Sequence, residues 1–212
     1  MALQMVHLLV AQKWAQAHAE YRNNPEFYLG AISPDAIHIR DGNDKSRKDE
    51  FHLYNWMQPN VENVIAYWRE HHTPFDVGFG VHVLTDAQWV PRYRSRIPQL
   101  VYPDGKIDIQ TYYNDTYVTD FELYRECGGA ELFNLVERGE APADHPLLTR
   151  EEFAQWQRDM LDCYRGECPK RDPVKYINRA YIEDFVNDAQ SLIDEVFGRY
   201  LTEAQGESTW LC

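Results

Sequence analysis

In the run Phe79-Gly80-Val81-His82-Val83-Leu84-Thr85-Asp86-Ala87-Gln88-Trp89, an imidazole and a carboxylate stand four residues apart inside an apolar helical pattern, so the two share one helix face. A carboxylate buried alone is costly, and two partners could offset it. One is the imidazole itself, as a structural hydrogen-bonded pair; the other is a divalent cation held by both groups. The same pattern, a polar residue set among apolar ones, recurs upstream. Asp35 and His38 follow the apolar stretch Phe27–Ile32, His52 lies between Phe51 and Leu53, and His7 lies between Val6 and Leu8. Singly, each histidine reads as a core or boundary residue. Together, His7, Asp35, His52, His82 and Asp86 offer the nitrogen and oxygen mixture that zinc and other borderline divalent ions prefer, and one or two such transition-metal ions per chain are expected.

Two basic clusters adjoin these residues. Lys45, Arg47 and Lys48 precede His52, and Arg92, Arg94 and Arg96 follow Asp86 by six to ten positions. The planar guanidinium fork suits phosphate, so Arg92, Arg94 and Arg96 are read as substrate-binding, against the alternative of solvated surface charge. Tyr54, Trp56, Trp68, Trp89, Tyr112 and Tyr113 either wall a pocket or pack the core.

The elements that must position these residues are helical. Val6, Leu9, Val10, Trp14 and Ala17 recur at helical spacing over Leu3 to Tyr21, with Asn23, Asn24 and Pro25 as the stop. Pro34 opens a turn carrying Asp35 and His38. Helices are expected from Val61 to His71 and from Phe75 to Trp89, the latter ended by Pro91. The middle, Arg92 to Tyr113, reads as an excursion with a hairpin about Pro103-Asp104-Gly105. Helical spacing returns at Thr119–Arg138 and at Leu148–Tyr164, where Thr149 and Glu152 form a capping-box pattern. A final long helix is expected over about Pro173–Thr202. These 212 residues are read as one all-α, multi-helix domain.

Lys and Arg number 21 against 34 Asp and Glu, a net charge of −13, which disfavours long nucleic acid and anionic membranes as partners. The apolar start, Met1 to Val10, lacks a basic region and gives way to polar sequence, so neither a signal peptide nor stable membrane insertion is expected, and the cytoplasm is the expected location. Cys127, Cys163, Cys168 and Cys212 are expected as free thiols.

The run Gly30-Ala31-Ile32-Ser33-Pro34-Asp35, then His52, then Gly80-Val81-His82-Val83-Leu84-Thr85-Asp86-Ala87, resembles the zinc-dependent phospholipase C family in its broad sense, including intracellular bacterial members of unassigned substrate. The resemblance covers residues 1 to about 125 and implies the helical architecture shared with nucleases that cut single strands. It implies Asp35, His52, His82 and Asp86 as ligands of one ion, with Asp35 also the proton acceptor, and His7 as ligand of a second ion that Asp86 bridges. The family's further His and His-x-x-x-Glu ligands have only His145 after Asp86 to answer them, which leaves Asp115 and Asp120 as replacement carboxylates or as ordinary turn and helix-start residues. The activity implied is hydrolysis of a small phosphoester through metal-activated water; the alternative is a non-catalytic helical scaffold with a structural metal. An HD-type phosphohydrolase is disfavoured, since no His is followed directly by Asp.

Overall fold

The chain enters its first helix, α1 (Gln4–Ala15), at Leu3, and leaves it through turns that reach Asn24. The helix is shorter than its apolar pattern suggests, because beyond Ala15 the chain bends, with Trp14 stacking on His18 and packing against Tyr21. Asn24 accepts a hydrogen bond from Phe27 N–H and, with Pro25 at the first helical position, starts α2 (Pro25–Gly30). A 3₁₀ turn over Ser33–Ala36 carries Asp35 into α3 (Ile37–Asp41). Next come α4 (Lys48–Phe51), α5 (Val61–Glu70) and α6 (Pro74–Arg96). The remaining helices are α7 (Ile109–Glu126), α8 (Gly129–Arg138), α9 (Arg150–Arg165), α10 (Arg179–Asp188) and α11 (Gln190–Ser208). The computed structural model describes residues 2–42, 48–53, 61–168 and 171–208; these are all-helical, with no strand among them. None of their helices is long and apolar enough to cross a membrane.

Further boundaries differ from the sequence reading. Pro91 does not end α6: its ring lies on the exposed face, and the helix runs on to Arg96. The middle excursion contracts to one antiparallel bridge, Val101 to Ile107, around the Pro103–Gly105 turn. Helix α7 begins ten residues before Thr119, where Asp108 accepts from Thr111 N–H, and it is separated from α8 at Gly128, which takes φ +73. The last long helix is two, α10 and α11, joined at Ala189. The Thr149–Glu152 capping box is present, and Thr73 with Asp76 forms another at the start of α6. The described cysteines Cys127, Cys163 and Cys168 form no disulfide, and Cys212 lies outside the described residues.

The contact that sets the geometry of the N-terminal half is between α2 and α6. A Cβ on Gly30 would sit 2.0 Å from the carbonyl oxygen of Phe75, and one on Gly78 would sit 2.0 Å from that of Phe27. Only glycine at both places lets the two backbones touch. The close approach allows His82, one turn beyond Gly78 on α6, to bond the carbonyl of Ala31 just past α2. Around this pair, buried apolar side chains form one continuous core that includes Trp14, Trp68, Trp89, Phe27 and Phe153. Gly78→Ala should therefore force the helices apart and cost at least about 3 kcal/mol, the upper range for overpacking. Urea unfolding checks it; an unchanged midpoint would show that the contact is not set by backbone approach.

Candidate metal centre and cleft

Helix α1 brings His7, the turn after α2 brings Asp35, the residue after α4 is His52, and α6 brings His82 and Asp86, all to one place. His52 Nε2 is 3.4 Å from Asp35 Oδ1 and 3.5 Å from Asp86 Oδ2; His82 Nε2 is 4.0 Å from each of those same oxygens. The other oxygen, Asp86 Oδ1, lies 3.5 Å from His7 Nε2 and accepts the N–H of Ala2 at 2.9 Å. The His7 and His82 rings stack at 3.6 Å with only 5° between their planes. Each of the five residues is at most 1% exposed. All five sequence-derived ligand candidates thus meet in the fold.

The protonation states follow from the surroundings. His82 Nδ1 donates to the Ala31 carbonyl at 2.8 Å, which leaves the lone pair on Nε2, the nitrogen facing the carboxylates. That Nε2 has no hydrogen-bond partner, and neither ring nitrogen of His7 has one among the described residues. Burial lowers the His7 pKa to about 4 and holds His82 well below the usual imidazole range, so at neutral pH both are uncharged, as metal ligands and close-stacked rings require. Two buried carboxylates then face three buried histidines, a situation that a dication would balance.

The donor geometry fits an ion. Bonds of ~2.0–2.2 Å in a tetrahedral shell put neighbouring ligand atoms about 3.3–3.6 Å apart. The two His52 distances fall in that range, and the two His82 distances exceed it by less than about half an ångström. Two sets of potential ligand atoms each lie close enough together to hold an ion, His52, His82 and Asp86 in one and His7, Asp35 and His82 in the other, with His82 common to both.

Surrounding residues hold these groups in place. Gln4, one turn before His7 on α1, donates from Nε2 to Asp35 Oδ2 at 3.2 Å, leaving Oδ1 towards the histidines. Asp120 on α7 accepts Met5 N–H at 3.2 Å and the Tyr164 hydroxyl, so it anchors the first turn of α1; burial raises its pKa to about 7 against those donors. Asp115 is committed elsewhere, accepting the backbone N–H groups of Lys175, Tyr176 and Ile177. Among the candidate replacement carboxylates, Asp120 therefore serves α1 and Asp115 the loop before α10. His145 lies apart, bonded to the Tyr67 hydroxyl at 2.9 Å, and His38 contacts the Gly42 carbonyl through Nδ1.

A cleft of about 660 Å³ opens beside the cluster, and its lining includes Gln4, Asp35, His38, Tyr117, Trp156 and Arg171. Two larger surface hollows, of about 750 and 690 Å³, contain none of the five clustered residues. The arginines chosen from sequence do not line the cleft. Helix α6 carries them about 9–15 Å past Asp86, at 1.5 Å per residue. There Arg92 pairs with Asp188, Arg94 bonds the Gly105 carbonyl, and Arg96 borders a groove with Tyr181. The guanidinium at the cleft is that of Arg171, which no local pattern singles out; Gln4, three before His7 on the same helix face, was detectable by spacing. Trp68, Trp89 and Tyr112 are core, whereas Tyr113 lines the cleft. Tyr54, Trp56, Lys45 and Arg47, and the side chain of Lys48, lie outside the described residues.

No family model matches the chain, nor does any curated protein or solved structure.

If the cluster holds an ion through these atoms, protein purified without chelator should contain about one equivalent of transition metal by elemental analysis, and His82→Ala and Asp86→Asn should each lower it at least tenfold, as loss of a ligand implies. Unchanged metal content in both variants would place the ion elsewhere.

Proposed function

We propose that the protein is a metal-dependent hydrolase of a small phosphoester, with the helical architecture of the zinc-dependent phospholipase C family. The observation that carries this reading is the meeting of His52 Nε2, His82 Nε2, Asp35 Oδ1 and Asp86 Oδ2 at 3.4–4.0 Å, with Asp35 also on the wall of the cleft. The three imidazoles and two carboxylates suit zinc or another divalent transition metal, one or two per chain. When bound, such an ion supplies a water of lowered pKa and positive charge against the phosphoryl oxygens. The chain's own residues do the rest. Ala31 fixes the His82 tautomer, and Gln4 orients Asp35. Asp35, the carboxylate that lines the cleft, takes the proton that the attacking water loses. The net charge of −13 favours a small substrate over a polynucleotide.

The second reading, a helical scaffold with a structural metal, draws on one observation: each of the five clustered residues is at most 1% exposed, as in a closed site. Assay of metal-loaded protein on phosphomonoesters, phosphodiesters and phosphatidylcholine separates the two. The hydrolase reading expects chelator-sensitive turnover that falls by at least about 100-fold in Asp86→Asn. Bound metal with no turnover on any of these substrates would favour the scaffold.

A further inference from the structure

Along α7, Tyr113, Tyr117 and Phe121 recur every four residues and so form one stripe. The stripe descends from the surface into the cleft: Tyr113 is 36% exposed and Phe121 only 4%. At its inner end Phe121 stacks on Tyr164, with ring centroids 5.1 Å apart and 21° between planes. On α9, Trp156 donates its indole N–H to the Ile32 carbonyl at 2.8 Å, which fixes the orientation of that ring. Arg171 lies over Tyr117, its guanidinium carbon 5.3 Å from the ring centroid, and it forms no ion pair with a described residue. The cleft thus joins aromatic walls, one guanidinium with no acidic partner among the described residues, and a carboxylate of the His and Asp cluster.

We infer that, given the hydrolase reading of the metal cluster, this cleft selects phosphoesters that carry one flat aromatic group, which lies on the α7 stripe while Arg171 attracts the anionic oxygens. Ring faces receive a flat group by offset stacking or edge contact, and Arg171 remains able to bond its anionic oxygens. An aliphatic chain in the same place would gain contact area but forgo the ring-to-ring contacts that the stripe offers. In a protein of net charge −13, an arginine that pairs with no acid among the described residues also lets an anion approach the cleft.

The test measures binding separately from turnover, using phosphonates whose P–C bond resists hydrolysis. Methylphosphonate, decylphosphonate and 1-naphthylphosphonate are titrated calorimetrically into the metal-loaded, full-length protein. The naphthyl compound should bind at least about tenfold more tightly than either of the others. Arg171→Gln should weaken its binding about tenfold, the scale of one charge-assisted hydrogen bond. Tyr117→Ala should also weaken it, with metal content unchanged in both variants. Equal affinity for the methyl and naphthyl compounds, tighter binding of the decyl compound, or indifference to Arg171→Gln would overturn the inference. Binding in the expected order by a protein that hydrolyses no phosphoester would support this selectivity and reject the hydrolase reading, whereas hydrolysis without that order would do the reverse.

Discussion

Two carboxylates and three imidazoles are buried together, with Asp35 at the wall of the cleft, and much of the N-terminal half is arranged to hold them there. With His7 and His82 held uncharged by burial, a cation taken up by the cluster would offset the charge of Asp35 and Asp86. Hydrogen bonds meet part of the need: Gln4 serves Asp35 Oδ2, and Ala2 N–H serves Asp86 Oδ1. The oxygens facing His52 and His82 are placed differently, at distances that suit ligands around a shared ion better than direct hydrogen bonds.

Holding such a cluster requires rigid neighbours. The glycine contact between α2 and α6 places the Ala31 carbonyl where it sets the His82 tautomer, and the same chain continues through the 3₁₀ turn to Asp35. Asp120 fastens the start of α1, and with it His7 and Gln4, to α7 and α9 through Met5 and Tyr164. Helix α7 therefore has two tasks: one face anchors α1, and an adjacent stripe of Tyr113, Tyr117 and Phe121 forms the wall of the cleft. Changes in α7 packing should reach both the cluster and the cleft.

The clustered residues were legible because each interrupts an apolar run. Imidazole or carboxylate at His7, Asp35, His52, His82 and Asp86 is hard to explain by packing alone, and helical spacing already put His82 and Asp86 on one face. The helical character of the chain was legible from the same periodicity. Where helices end was less so. Pro91 looked like a stop, but its solvent-facing position lets α6 continue and carry Arg92, Arg94 and Arg96 away from the cleft. The Pro103–Gly105 turn suggested a hairpin, and the structure keeps one bridge before α7 begins. Arg171 was not legible, since a loop residue meets Tyr117 through tertiary folding and leaves no periodic mark.

The central claim is that the buried His and Asp residues are ligands of a common ion. Anomalous diffraction from crystals of the metal-loaded protein, recorded on both sides of the metal's absorption edge, tests it most directly. The account predicts a peak within ~2.0–2.2 Å of His52 Nε2, His82 Nε2, Asp35 and Asp86. A cluster with no anomalous density, its histidines and carboxylates paired directly with one another in protein that binds its metal elsewhere or not at all, would contradict it.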